Sequence, residues 1–126
     1  LAIRVTAGPN GMIERPILYT WCMGKKVYNK LVRDKIPDII AAEGKQLKSR
    51  VLDDTEHLEA LLKKLEEEVA ELLEARNVEE LADVHEVLLA LAEMLKISPE
   101  ELETVRAGKA AKRGGFKKRI FLEEVE

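Results

Sequence analysis

Two amphipathic segments joined by a short polar turn constrain the fold of this chain more than any other feature. Apolar residues recur at helical spacing in the first segment: Leu58, Leu61, Leu62, Leu65, Val69 and Leu72. They recur in the same way in the second: Val84, Val87, Leu88 and Leu91. Arg76, Asn77 and Val78 form the turn, and Glu80 three residues after Asn77 predicts a helix-capping box. The pattern therefore predicts two antiparallel helices packed through one face of each.

Further start and stop signals extend this hairpin to a mainly all-α antiparallel bundle of about four helices. Pro37 is placed for the first turn of a short helix before the hairpin. Ser98 followed by Pro99 predicts the start of a last helix after it. We also expect a small C-terminal β-hairpin or strand pair, in which residues 116–126 pair with residues 48–52.

The first 22 residues differ from the rest of the chain, since they contain several glycines and prolines and lack helical periodicity. We therefore place the domain at residues 23–126 and residues 1–22 outside it. Two interpretations of this N-terminal extension stay open. It is either sequence upstream of a natural translation start at Met23, or a short strand or arm that packs on a partner subunit. We assign it no chemistry.

Composition excludes several classes of protein. The formal net charge is −3, which provides no general attraction to nucleic acid or to an anionic membrane. No apolar run approaches the roughly 20 residues that a membrane-spanning helix needs. Cys22 is the single cysteine, so an internal disulfide is excluded and a reducing compartment is favoured. We expect a cytoplasmic protein.

Two acidic pairs interrupt the apolar faces of the predicted hairpin. Glu68 and Glu71 lie three residues apart in the first segment, and Glu80 and Asp83 have the same spacing in the second. Side chains three residues apart project to nearly the same side of a helix. Glu68 and Glu80 occupy positions that the pattern reserves for apolar side chains. Because Glu71 and Asp83 are equally distant from Asn77, we expect them to face each other.

These pairs have two interpretations. Glutamate-rich helices produce such spacings by chance, and Glu80 also suits the third position of a capping box, so each pair alone could be a solvated surface. A carboxylate on a buried face is costly unless it is paired or binds a cation. Two such pairs on adjacent antiparallel helices therefore favour a site for a hard divalent cation such as Mg²⁺.

The acidic pairs also belong to a longer signature, EExxE followed by ExxD. It consists of Glu67-Glu68-Val69-Ala70-Glu71 and Glu80-Leu81-Ala82-Asp83. This signature resembles that of the all-α nucleoside triphosphate pyrophosphatases, the MazG-type superfamily. The segments YNKLVRDKIP (28–37), RGGF (113–116) and IFLEEV (120–125) resemble a small branch of predicted house-cleaning enzymes. The resemblance covers about residues 26–126, and the gap between the acidic pairs is shorter than is usual in the superfamily.

The resemblance implies hydrolysis of a nucleoside triphosphate between its α and β phosphates, giving a monophosphate and pyrophosphate. The substrates would be non-canonical or surplus nucleotides. By analogy four carboxylates would hold Mg²⁺, with Mn²⁺ as a substitute: Glu68, Glu71, Glu80 and Asp83. Glu67 or Glu71 would accept a proton from the attacking water.

Basic residues near both ends of the domain are candidates for phosphate binding. Lys30 and Arg33 precede the first predicted helix, and Lys109, Lys112 and Arg113 end the last. The last three have a second explanation, because cations near a helix C-terminus complement the helix dipole.

The apolar faces are too extensive for so few helices to bury, so we expect a homodimer or a higher homo-oligomer, as the resemblance also implies. Two alternative functions stay open. One is phosphoribosyl-ATP pyrophosphohydrolase activity on the same fold, and the other is a non-catalytic helical interaction module. The acidic motif carries no information on the base, because base selectivity depends on the shape of the pocket.

Overall fold

In a computed structural model, residues 25–126 of the 126-residue chain are described. The chain divides into two compact units, Leu1–Lys30 and Leu31–Glu126. The described part of the first unit is the short segment 25–30. The predicted extension, residues 1–22, lies outside the described residues, so its interpretation stays a prediction.

The second unit is all-α, and its described residues form four helices, which confirms the predicted fold class. Helix α1 spans Ile36–Ala42, α2 spans Asp54–Ala75, α3 spans Val78–Met94 and α4 spans Pro99–Arg113. Helices α2 and α3 form the main packing pair, whereas α4 contacts α3 much less. No helix among residues 25–126 is both long and apolar enough to cross a membrane.

The caps of α2 and α3 explain where the chain reverses. Arg76 ends α2 in the left-handed region, with φ 51°, and the Asn77 side chain accepts a hydrogen bond of 2.9 Å from the Glu80 N–H. At the start of α2, Asp53 and Glu56 complete a reciprocal capping box. The box predicted for α3 is only half formed, because no described hydrogen bond runs from the Asn77 N–H to the Glu80 carboxylate. The Glu80 carboxylate is therefore available for another role.

The core between α2 and α3 is small. Leu61, Val87 and Ala92 are the buried apolar residues of the described part, and Glu68, only 7% exposed, is buried with them. Helix α4 contains no buried residue among those described. Many large apolar side chains are exposed, including Leu81 at 57%. A single copy therefore leaves much apolar surface uncovered.

The strand pair that we expected is not formed. Residues 48–52 and 116–126 contain no strand in the part of the chain that the structure describes. Their apolar side chains are exposed, Val51 at 96% and Phe121 at 86%. Residues 116–119 instead form a turn, in which the Arg119 N–H donates to the Phe116 carbonyl at 3.2 Å. An extended segment without a neighbouring strand cannot form the ladder of hydrogen bonds that stabilises a sheet.

Candidate metal centre

Three carboxylates from the packed helices α2 and α3 meet at one place. Glu68 on α2, and Glu80 and Asp83 on α3, each offer one oxygen, and these oxygens all lie within 4.8 Å of one another. Glu68 is buried, and the other two are half-buried. The spacing of three residues brings both α3 acids to the same side of that helix. Three of the four predicted metal ligands are therefore brought together, and we call them the acidic cluster.

Two oxygens of the acidic cluster have no hydrogen-bond partner. Glu68 Oε2 and Glu80 Oε2 are both inaccessible to solvent, and no described residue donates to either. A buried polar atom left without a partner costs about 1–3 kcal/mol, and more when it carries charge. A cation bound between the two helices would satisfy both atoms. Carboxylate oxygens are also the ligands that hard divalent ions prefer, so the donor set fits such an ion.

Glu71 is not brought into the acidic cluster. It lies on the exposed surface of α2, although we expected it to face Asp83. Three residues advance a helix by about 300° at 3.6 residues per turn, so Glu71 lies about 60° around the helix from Glu68. Glu68 is buried on the packed face of α2, and this rotation carries Glu71 outward into solvent.

A lysine that the sequence analysis did not single out lies against the acidic cluster. Lys64 Nζ is 3.1 Å from Glu68 Oε1 and 3.3 Å from Glu67 Oε1. Burial of Lys64 opposes its charged form, but hydrogen bonds to Glu68 and Glu67 outweigh burial, and the pKa of Lys64 is raised. The signal for this contact was present in the sequence, because Lys64 precedes Glu68 by four residues. Glu67, a candidate catalytic residue, is thus a half-buried partner of Lys64.

Arg33 supplies a second cation at the edge of the acidic cluster. Its Nη2 atom lies 2.5 Å from Asp83 Oδ1, with the two side chains 57% and 36% exposed. Arg33 is a candidate phosphate ligand, and in the described residues it pairs with a candidate metal ligand.

The other candidate phosphate ligands are Lys30 and three cations of α4. Lys30 belongs to the first unit, where its ammonium is 5.9 Å from the centroid of the Tyr28 ring. Lys109 and Arg113 line an open groove of about 480 Å³ at the end of α4, next to Phe116, and Lys112 is exposed on the same helix. No described hydrogen bond or ion pair joins the α4 cations to the acidic cluster.

A segment of the chain is similar to a protein of Mycolicibacterium smegmatis (strain ATCC 700084 / mc(2)155) that is described as uncharacterized. The two are 54% identical over 43 residues, which cover 34% of this chain and 44% of that protein. The chain therefore spans less than half the length of this relative. No protein-family model matches the sequence, and no solved structure matches it.

Proposed function

We propose that this protein is a Mg²⁺-dependent nucleoside triphosphate pyrophosphohydrolase that cleaves the bond between the α and β phosphates. The observation that carries the proposal is the acidic cluster. It combines three carboxylate oxygens within 4.8 Å of one another with two buried oxygens that lack a hydrogen-bond donor. The EExxE and ExxD signature contributes all three carboxylates. A purely solvated acidic surface would not bury Glu68 to 7% exposure.

The size of the acidic cluster suits a small divalent ion. Oxygens bound on opposite sides of Mg²⁺ are about 4.2 Å apart, twice the bond length of about 2.1 Å. The separations in the acidic cluster are all within 4.8 Å, so at most a modest side-chain rotation brings the oxygens within range. Glu68, Glu80 and Asp83 would hold the ion. When bound, it would stabilise negative charge on the phosphates and favour ionisation of a bound water.

Three of the remaining candidate residues are assigned roles beside this centre. Glu71 is our first choice to accept the proton of the attacking water, because it is exposed to solvent on α2 and carries no described ion pair. Glu67 is the second choice, because it is half-buried and paired with Lys64. Arg33 lies against Asp83, where it could contact a phosphate held by the same ion. Lys109, Lys112 and Arg113 are proposed as further phosphate ligands, and the role predicted for Lys30, which belongs to the first unit, stays a prediction.

We propose further that the protein acts as a homodimer or a higher homo-oligomer. A groove on α3 is lined almost entirely by apolar side chains: Val78, Leu81, Ala82, Val84, His85 and Leu88. Val78 is 72% exposed and Leu88 is 43% exposed. Covering this face with a second copy would remove apolar area from water, which is the main driving force for association.

We also propose a cytoplasmic location. The single cysteine, which excludes an internal disulfide, supports a reducing compartment.

A nucleotide panel tests the proposed reaction. Canonical and non-canonical triphosphates and phosphoribosyl-ATP are incubated with the protein and Mg²⁺ or Mn²⁺, and pyrophosphate and orthophosphate are measured separately. We expect pyrophosphate from one or more triphosphates, with no activity in a chelator. Release from phosphoribosyl-ATP alone would support the alternative enzyme. Release from none of them, by protein that is folded, would support the interaction module.

Matched glutamate variants connect the activity to the acidic cluster. Glu68→Gln removes a buried carboxylate, and Glu66→Gln removes an exposed one two residues away on the same helix. Loss of a residue that supports a metal ligand already costs 10–100-fold, so loss of the ligand itself should lower activity by about 100-fold or more. Glu66→Gln should retain nearly full activity. Equal activity of the two variants would exclude the acidic cluster as the catalytic centre.

A further inference from the structure

We infer that Lys64 is a built-in counter-ion of the acidic cluster, which neutralises Glu68 when no divalent cation is bound and lets α2 and α3 pack without metal. This inference rests on the proposed cation site. It assigns to Lys64 a positioning role: it acts through Glu68 and touches neither the ion nor the substrate.

The first support is the burial of an ion pair. Glu68 is 7% exposed, and the side chain of Lys64 is 16% exposed. A carboxylate removed from water in this way needs an opposite charge nearby, and the Lys64 ammonium lies 3.1 Å from Glu68 Oε1. The two residues are four apart on α2, so the helix itself sets their separation.

The second support is that the two carboxylate oxygens of Glu68 have different surroundings. Lys64 contacts Oε1, whereas Oε2 is buried and has no described donor. Arg33 contacts Oδ1 of Asp83. Each of these two cationic side chains therefore contacts one oxygen of a carboxylate. A divalent ion could bind Oε2 of Glu68 while the pair with Lys64 persists.

A third support is the repulsion that Lys64 offsets. The oxygens of Glu68, Glu80 and Asp83 lie within 4.8 Å of one another, and Glu67 adds a fourth carboxylate 3.3 Å from Lys64 Nζ. Like charges at such separations repel strongly in a half-buried site. Without a bound ion, Lys64 is the buried positive charge next to Glu68. The same charge must also weaken the attraction of the acidic cluster for a divalent cation. Lys64 therefore lowers the affinity for metal and raises the stability of the protein in the absence of metal.

The test compares Lys64→Met with Lys63→Met, which removes the charge of an adjacent, exposed lysine. Denaturant unfolding is measured with and without Mn²⁺ or Mg²⁺, and cation affinity is measured by calorimetry. We expect Lys64→Met to unfold at a lower denaturant concentration without metal. We also expect it to bind the cation at least about threefold more tightly, because a nearby like charge is gone. Addition of metal should then raise the denaturant concentration at the unfolding midpoint more for Lys64→Met than for the wild-type protein. Lys63→Met should match the wild type, and Lys64→Arg should restore its behaviour.

A double variant keeps the test decisive if Lys64→Met does not fold without metal. Glu68→Gln combined with Lys64→Met removes both charges of the pair, so Glu68 is no longer a buried carboxylate without a counter-ion, and the double variant should regain metal-free stability relative to Lys64→Met alone. Weaker or unchanged cation binding by Lys64→Met, or a double variant no more stable than Lys64→Met, overturns this inference alone. A wild-type protein that binds no divalent cation overturns the proposed function together with the inference.

Discussion

The guanidinium of Arg33 donates a hydrogen bond of 2.5 Å to Oδ1 of Asp83, joining the segment before α1 to α3 across 50 residues of sequence. Both groups are partly exposed, so the pair contributes little to folding. Its consequence is positional, because it holds a cation at the edge of the acidic cluster, where a phosphate would bind beside a metal ion in the reaction that we propose.

Arg33→Ala should therefore affect activity far more than stability. The free energy of unfolding should change by no more than about 1 kcal/mol, the upper range for an exposed ion pair. The kcat/KM for the triphosphate should fall by about tenfold or more, because a hydrogen bond to a charged group contributes about 1.5–3 kcal/mol. Urea unfolding and steady-state kinetics measure the two quantities.

Arg50→Ala is the matched control for this prediction. Arg50 pairs with Glu56 at 2.7 Å and is also exposed. Glu56 precedes Glu68 by twelve residues, or about 18 Å along α2 at 1.5 Å per residue, so this pair is remote from the acidic cluster. Equal losses of activity in the two variants would show that Arg33 has no special role.

Leu81→Glu should disrupt self-association. Leu81 is 57% exposed in the apolar groove of α3, and a charge placed there would be buried without a partner if a second copy covered the groove. Sedimentation or size-exclusion chromatography with light scattering should show an oligomeric wild-type protein and a monomeric variant. Val51→Glu, at a position that is 96% exposed outside the helices, should remain oligomeric. A wild-type protein that is monomeric at every concentration would contradict the proposed assembly.

Glu56 should make the stability of the protein depend on acid pH. Hydrogen bonding to Arg50, and then to the backbone of Asp53, lowers the pKa of Glu56 from 4.5 to about 2. Because the folded-state pKa is below the unfolded value, the stabilisation is present above about pH 4.5 and is lost as the pH falls towards 2. Glu56→Gln should therefore be less stable than the wild type at neutral pH, and the difference should narrow over this interval in urea titrations. Glu59→Gln, an exposed glutamate on the same helix, should show no such narrowing.

Leu61→Ala should cost much of the folding free energy. Leu61 is 3% exposed in a core with few apolar residues, and truncation of a buried leucine to alanine costs about 2–5 kcal/mol. Leu62→Ala removes the same atoms one position further along α2, where the side chain is 49% exposed, and should cost about 1 kcal/mol or less. Denaturant unfolding compares the two. Similar costs would mean that the core does not lie on the Leu61 face of α2.

Local signals in the sequence predicted most of the fold. Asn77 caps α3 and Ser98 caps α4 through side-chain hydrogen bonds, as their positions before helical segments indicated. Leu61 and Val87, from the two predicted apolar faces, are buried. These features depend on neighbouring residues along the chain, so they can be read without knowledge of the tertiary structure. The prediction of a strand pair was wrong, because strand pairing depends on a partner that is distant in the sequence.

The candidate site was predicted only in part, because some of its features follow from local spacing and others depend on tertiary packing. Helical spacing was sufficient to select Glu68, Glu80 and Asp83, because each interrupts or borders an apolar face. It could not predict whether Glu71 faces α3 or solvent, because that depends on how far α2 is rotated about its own axis relative to α3. It also could not decide whether Glu80 completes a capping box or turns its carboxylate toward Glu68.

The sequence by itself determined where the helices begin and end and which face of each is apolar, since these follow from capping and periodicity within one segment. Only the tertiary structure decided which oxygens meet between α2 and α3, and that Lys64 and Arg33 each occupy one oxygen of a carboxylate. The physical reason is that such contacts depend on the rotation and approach of packed helices, to within an ångström or so, and no local pattern specifies those quantities.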